Sequence, residues 1–278
     1  MNQPVPIPST NMPARIGQGT AVEQSRAAAE VQAAVVVAQQ CPRNIQAAVA
    51  EMRESCKQQG LAERAFYRYP KGGQTITGAS VHLARELARV WGNVQYGLVE
   101  MRRDDAYGQS EMQAFAWDVQ TNSRNSSTFI VPHRRDTKNG PQAVTDMRDI
   151  YELNTNNGAR RVREAIFAIL PPWFVEEAKE LCNATLRNGG GKPLAQRVAD
   201  AIKTFEGVGI TADRIEARLE RVSGKWTEHD VAQLIVIFKS IQRGEVTAED
   251  EFPAPRVTAD ELTGGKAKAD AAKTGGAA

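Results

Sequence analysis

The residues best suited to binding chemistry form a cationic cluster in the middle of the 278-residue chain. The cluster occupies a polar segment and the helical stretches that follow it: His133, Arg134, Arg135, Lys138, Arg148, Arg160, Arg161 and Arg163. Asn156 and Asn157 stand close by and can donate hydrogen bonds to phosphate oxygens or to base edges. Because the planar guanidinium of arginine donates two parallel hydrogen bonds, this set favours the binding of phosphate groups.

Helical spacing indicates which way these arginines point. Four apolar residues recur on one face of the stretch 159–170: Ala159, Val162, Ile166 and Ile169. At about 100° per residue, Arg160 falls nearly opposite that face, and Arg161 and Arg163 lie on its two flanks. Glu164 is the one acidic residue within the stretch. On these residues alone, a solvated helix face and a phosphate-binding surface both stay open.

A second basic element interleaves cations with aromatic rings over residues 64–71: Arg64, Phe66, Tyr67, Arg68, Tyr69 and Lys71. Aromatic rings stack on unpaired bases while cations hold the backbone, a combination typical of single-strand binding. The same rings are equally compatible with packing beneath a sheet, so this element is a weaker indication than the arginine cluster.

Catalytic alternatives are less well supported. Four carboxylates could be imagined as a metal-dependent nuclease site: Asp136, Asp146, Asp149 and Glu152. The last three recur at i, i+3 and i+6, so successive members rotate apart by about 60° around a helix. Thr145 and Asp146 are more economically a helix start. The three histidines lack metal-ligand spacing, and neither a P-loop nor a GxSxG nucleophile motif occurs. We therefore expect no enzyme activity and no cofactor.

Composition bounds the class of protein. The hydrophobic fraction of 41% is enough for a core, and the net charge of +2 is mild, so clustering of the cations matters more than their sum. The three cysteines include no CxxC pair, which predicts neither a disulfide framework nor a zinc site. The N-terminal segment lacks a signal-peptide pattern, and no apolar run approaches about 18 residues. We expect a soluble, cytoplasmic protein without membrane contacts.

Periodicity and turn residues predict an α+β fold. We expect a disordered arm at 1–22, a core domain at 23–188, a Gly-rich linker at 189–192, a helical module at 193–252 and a disordered tail at 253–278. Within the core, helices at 23–40 and 43–59 precede a loop or short hairpin at 64–78 and a helix from Ser80 to Val90. In the module, Thr211 and Thr227 are expected helix N-caps.

In the middle of the core domain, the residue pattern changes to the alternation that is typical of strands. Strands at 94–103, 109–120 and 127–133, joined by short turns, predict a three-stranded antiparallel meander. A polar loop follows, then one long helix or two over 145–170 with an interruption near 156–158, and a further helix at 175–187. Four residues are expected in the sheet core beneath the helix: Leu98, Phe115, Trp117 and Phe129.

This strand–strand–strand–helix order resembles the core of the phage single-strand annealing proteins of the RecT/Redβ type. The resemblance covers about residues 23–252 and is carried by FYRYPKGGQTITGASVHLARELARVWGN, AWDVQTN, HRRDTKNG, TDMRDIYELNTNNGARRVREAIFAILP and KWTEHDVAQLIVIFKSIQRGEVTAEDEF. It implies ATP-independent DNA binding and strand annealing in phage recombination inside a bacterial host, with single-stranded DNA and the annealed duplex as ligands. It also implies a homo-oligomer, either a ring or a helical filament.

The resemblance implies particular contacts as well. DNA contact carries over to positions 133–138 and 156–163, with Arg68 and Lys71 as weaker candidates. The C-terminal module is implied to bind a host single-strand-binding protein or a phage exonuclease.

Two other functions remain as alternatives. The first is a non-enzymatic phage structural or adaptor protein, in which the arginines pair with a protein neighbour. The second is a metal-dependent nuclease. Salt-sensitive oligonucleotide binding without metal separates annealing from the first alternative, and metal-dependent cleavage would indicate the second.

Overall fold

The computed structural model describes residues 18–71, 74–137 and 140–254. The chain has a mixed α+β architecture in which a three-stranded antiparallel sheet is followed by a long helix, as the sequence predicts. Lys138 lies outside the described residues, together with positions 1–17 of the predicted arm and the predicted tail beyond 254.

Three helices form the N-terminal part: α1 (Gln18–Gln40), α2 (Ile45–Cys56) and the short α3 (Gln59–Ala62). α1 begins at Gln18, so helix occupies the last positions of the segment that we expected to be a disordered arm. Asn44 begins α2, because its side chain accepts a hydrogen bond from the N–H of Ala47 at 3.0 Å. No helix in the described ranges is both long and apolar enough to cross a membrane.

An antiparallel hairpin follows, made of β1 (Phe66–Lys71) and β2 (Gln74–Ala79). It lies where we predicted a loop or short hairpin. α4 (Val81–Trp91) starts directly after it, and the Ser80 hydroxyl caps this helix by accepting hydrogen bonds from the N–H groups of His82 and Leu83. The hairpin and the start of α4 are therefore held close together.

The central sheet is a meander of β3 (Val94–Asp104), β4 (Gln109–Asp118) and β5 (Ser123–Pro132), with β4 in the middle. Alternation along β4 buries Ala114 and Ala116 on one face. It places Phe115 and Trp117 on the opposite face, where both are half-buried.

The expectation for the sheet core is therefore corrected in part. Leu98 and Phe129 do pack against the main core, as predicted. Phe115 and Trp117 do not, because their strand positions point away from the helix that covers the sheet. The Phe115 ring lies instead against Gly97 of the neighbouring strand.

That covering helix is α5 (Met147–Ile169), which runs without a break through Asn156–Gly158. Asp146 begins it by accepting hydrogen bonds from the N–H groups of Arg148 and Asp149 at 2.9 and 3.2 Å. The segment between the sheet and α5, predicted as a polar loop, contains a small hairpin of β6 (Arg134–Thr137) and β7 (Gly140–Ala143).

The remaining helices are α6 (Pro172–Asn188), α7 (Leu194–Glu206), α8 (Ala212–Leu219), α9 (Glu228–Gln242) and α10 (Ala248–Glu251). Gly189 caps the C-terminus of α6 in the left-handed conformation. Thr227 caps α9 in a reciprocal capping box with Asp230. Thr211 stands at the N-cap of α8, but its side chain makes no capping hydrogen bond.

The C-terminal helices are packed onto the core rather than set apart from it. They have their own apolar cluster, which includes Phe205 and Leu234. α9 also contributes Ala232 and Val236 to the main core. The Arg197 guanidinium, buried in α7, donates to the carbonyl oxygen of Leu186 at 2.7 Å. These contacts correct the expectation of a separate module beyond a flexible linker.

Candidate nucleic-acid interface

A cavity of about 910 Å³ opens where α5, β5, the start of α4, β1 and the end of α9 meet. We call it the arginine groove, after the five arginines that line it: Arg134, Arg160, Arg161, Arg163 and Arg243. Two carboxylates, those of Glu164 and Glu245, also line the groove. The excess of guanidinium groups over carboxylates gives the groove a positive charge, which favours anions.

α5 supplies the largest part of the groove wall. Its Asn156 and Asn157 stand one turn before Arg160 and Arg161, so the turns of one helix place all four side chains along the cavity. The Asn157 amide already donates to the carbonyl oxygen of Leu153 at 2.9 Å. Arg160 and Arg161 are exposed, as their helical positions predict.

Aromatic rings hold two of these arginines in place. The Arg163 guanidinium carbon lies 4.5 Å from the centre of the Tyr67 ring, and that of Arg161 lies 5.8 Å from the centre of the Phe129 ring. Such cation–π contacts orient a guanidinium without neutralising its charge. Glu164 contacts both arginines, Arg161 at 3.2 Å and Arg163 at 3.6 Å. The Glu164 carboxylate therefore forms ion pairs with both arginines.

Gly78, in the paired strand, leaves room for the Tyr67 ring. Tyr67 is directly opposite Gly78 in the hairpin, and a Cβ at Gly78 would lie 2.6 Å from the tyrosine hydroxyl. Because glycine has no side chain there, the Tyr67 ring lies across β2. The ring thus packs against its own hairpin and against the Arg163 guanidinium.

Strand alternation separates the two arginines of β6. Arg134 lines the groove, whereas Arg135 lies 3.9 Å from the Asp149 carboxylate, with both side chains about half exposed. Arg148, in the first turn of α5, does not line the groove. Lys71 ends β1, and the structure describes its backbone position only. The groove thus unites six of the predicted contacts: Arg134, Asn156, Asn157, Arg160, Arg161 and Arg163.

Arg68, predicted as a weaker DNA contact, lies in the interior. Its Nε lies 2.9 Å from the Glu251 carboxylate, and the Arg68 and Glu251 side chains are 11% and 2% exposed. Arg218 contacts the other oxygen of Glu251 at 3.3 Å. Arg68 is therefore mostly buried and pairs with a buried carboxylate of α10, which corrects the prediction for this residue.

His133 is also buried, which corrects its prediction as a DNA contact. Its Nε2 lies 2.8 Å from the hydroxyl oxygen of Ser110, which in turn accepts a hydrogen bond from the Asn154 amide at 3.0 Å. Ser110 is fully buried and His133 is 6% exposed. Since a substrate cannot reach this serine, the Ser–His contact is a polar link between β4, β5 and α5.

Three residues of the groove were missed by sequence reasoning: His82, Arg243 and Glu245. Burial lowers the pKa of His82, and the neighbouring guanidinium groups of Arg64, Arg243 and Arg85 lower it further. The sequence could have pointed to His82, because this residue lies two positions after Ser80, whose type predicts a helix N-cap. Nothing in the local sequence points to Arg243, because the fold brings it to the groove from the C-terminal helices.

Two of the carboxylates considered for a metal site have other contacts. Asp146 caps α5, and Asp149 lies beside Arg135. Over the described ranges, no group of three or more histidine, cysteine, aspartate or glutamate side chains is placed to hold a metal ion.

No protein-family model, no curated protein and no solved structure matches the chain.

Proposed function

We propose that the chain binds single-stranded DNA in the arginine groove and anneals complementary strands without ATP. The observation that carries the proposal is the gathering of five arginines around one cavity, from β6, α5 and the end of α9. A guanidinium can bind a pair of phosphate oxygens, and the lining residues of α5 extend from Leu153 to Glu164, about three turns of the helix.

The composition of the groove favours a single strand over a duplex. Phe129, Ile130, Pro132 and Leu153 give the groove apolar surface beside its cations. An unpaired nucleotide presents the matching pair of surfaces, a charged phosphate and an apolar base face. In a duplex the base faces are stacked and hidden, so the apolar part of the groove would have no partner.

Annealing requires no bond to be made or broken. It requires that repulsion between two phosphate backbones be reduced while the base edges stay free to pair. Arginines reduce the repulsion through counterion release. In the proposed setting, several copies assemble along one strand in the cytoplasm of a bacterial host, and each adds its contacts to the total affinity.

The test is an annealing assay with two complementary labelled oligonucleotides, without ATP and in the presence of a metal chelator. The groove variant is Arg160→Gln with Arg161→Gln. The matched control is Arg53→Gln with Arg102→Gln, which removes two exposed arginines that also have acidic neighbours but lie outside the groove. We expect the wild type and the control to accelerate annealing and the groove variant to be slower.

Salt titration of oligonucleotide binding makes the test quantitative. Loss of two phosphate contacts should reduce the slope of log affinity against log salt by about 1.4, since each contact on a single strand contributes about 0.7. Folded wild-type protein that neither binds the oligonucleotide nor accelerates annealing would contradict the proposal and favour the adaptor alternative. Strand cleavage that appears when metal replaces the chelator would favour a nuclease.

A further inference from the structure

Arg243 makes a two-point contact with a carboxylate along one edge of its guanidinium, whereas Arg161 and Arg163 share Glu164 through one contact each. Its Nε lies 2.8 Å from one oxygen of Glu245, and its Nη2 lies 3.0 Å from the other. This two-point contact has the geometry in which a guanidinium binds a phosphate. The Glu245 carboxylate is therefore placed where a phosphate oxygen pair would bind.

Arg243 itself is firmly positioned. Its Nη2 also donates to the carbonyl oxygen of Phe66 at 2.9 Å, which ties the end of α9 to β1. Its Nη1 is buried and has no hydrogen-bond partner among the described residues. A buried donor left without a partner costs free energy.

Glu245 is easier to move than Arg243. Its side chain is 31% exposed, compared with 21% for Arg243. It follows Gly244, whose positive φ of 68° turns the chain out of α9. The Glu245 backbone is fixed by a hydrogen bond to the carbonyl oxygen of Ser240, so rotation of the side chain alone releases the contact.

His82 lies at the same end of the groove and experiences the same charges. The charged groups that interact with His82 belong to three segments of the chain. They are Arg64 before β1, Arg85 of α4, and Arg243 and Glu245 after α9. The three guanidinium groups disfavour a proton on His82, and the carboxylate favours one. A phosphate brought beside Arg243 would offset the cations and allow His82 to bind a proton and become a further donor.

We propose that Glu245 holds a phosphate-binding position in the free chain, and that a backbone phosphate of single-stranded DNA displaces its carboxylate from Arg243 and is then also bound by His82. This inference rests on the proposed function, because it assumes that the strand enters the arginine groove. It assigns one wall of the binding site to the C-terminal helices.

The experiment measures the affinity of the full chain for a fluorescein-labelled oligothymidine at fixed salt. Glu245→Gln keeps the size of the side chain and removes the competing charge. We expect it to bind about threefold more tightly than the wild type, the scale of one partly exposed ion pair. The control is Glu249→Gln, which loses an ion pair with Arg214 outside the groove and should bind like the wild type.

A second measurement follows the pH dependence of the same affinity between pH 7.5 and 6.0. Proton uptake by His82 should tighten wild-type binding as the pH falls, by at most about tenfold per pH unit. His82→Gln should bind with little pH dependence in this range. If Glu245→Gln binds like the wild type, or if His82→Gln keeps the full pH dependence, the inference is wrong.

Different results would contradict DNA binding in the arginine groove and the displacement of Glu245. If the wild type does not bind the oligonucleotide, or if Arg160→Gln with Arg161→Gln binds it unchanged, the proposed function fails and the inference fails with it. If that groove variant binds weakly while Glu245→Gln behaves as wild type, DNA binding in the groove stands and the displacement of Glu245 alone is overturned.

Discussion

Gly158 of α5 lies directly against Leu98 of β3, and a Cβ added at Gly158 would stand 2.1 Å from one methyl carbon of that leucine. The helix therefore contacts the sheet at a distance that no other residue permits. This contact explains why α5 continues through Asn156–Gly158, a segment whose composition is typical of a turn.

Replacement of Gly158 by alanine should destabilise the protein by about 1–2 kcal/mol. Overpacking against Leu98 costs about 1–3 kcal/mol, and the better helix propensity of alanine returns up to about 1 kcal/mol. Urea unfolding followed by circular dichroism measures the change. In a Leu98→Ala background the clash is gone, so the same Gly158→Ala substitution should be neutral or stabilising. A penalty of equal size in both backgrounds would refute the packing explanation.

Arg43→Met should be among the most destabilising single substitutions, at about 3–5 kcal/mol. Its Nη2 lies 2.9 Å from the Asp118 carboxylate, and the two side chains are 5% and 3% exposed. The substitution leaves a buried carboxylate without its counter-ion. Adding Asp118→Asn removes that charge, so the double variant should be more stable than Arg43→Met alone. Thermal unfolding of the wild type and of these two variants measures the difference.

The same pair predicts the behaviour in acid. Burial acts to raise the pKa of Asp118, but hydrogen bonds from Arg43, from the Thr121 N–H and from Trp91 outweigh it, and the net pKa is lowered from 3.8. The pair should therefore stabilise the fold fully above about pH 4 and lose this contribution as the pH falls through the lowered pKa. Asp118→Asn should flatten the decline in melting temperature between pH 5 and 2. If the decline in melting temperature is unchanged, protonation of other carboxylates causes it.

Tyr67→Leu should weaken oligonucleotide binding by about two- to fivefold, because Arg163 loses the ring that orients it. Tyr67→Phe retains the ring and should bind nearly as the wild type. Fluorescence anisotropy at one salt concentration compares the variants. Equal weakening in both would show that the hydroxyl group, rather than the contact between ring and guanidinium, is the relevant part.

Arg68→Met should lower stability without altering the salt dependence of binding. Glu251 would keep only its contact with Arg218 at 3.3 Å, so we expect a loss of about 3 kcal/mol or more. Chemical unfolding gives the stability, and salt titration at a temperature where the variant is folded gives the slope. A slope reduced as in a groove variant would mean that Arg68 contacts the nucleic acid after all.

Local sequence predicted the strands, the order of elements and the exposed face of α5, because these depend on residue period and turn chemistry. It could not separate Arg68 from Arg160, since the burial of Arg68 depends on Glu251, 183 residues later in the chain. It could not choose the buried face of β4 either. The close approach of α5 selects Ala114 and Ala116 for that face and leaves Phe115 on the other side.

The contact between Arg68 and Glu251 also has a consequence for the order in which the protein is completed during synthesis. The hairpin that carries Tyr67 is made early, but its buried arginine acquires a counter-ion only when α10 has left the ribosome. Arg243, which forms part of the groove wall, is likewise added late. A nascent chain therefore holds an incomplete arginine groove until the segment that carries Arg243 has been added and α10 has paired with the hairpin.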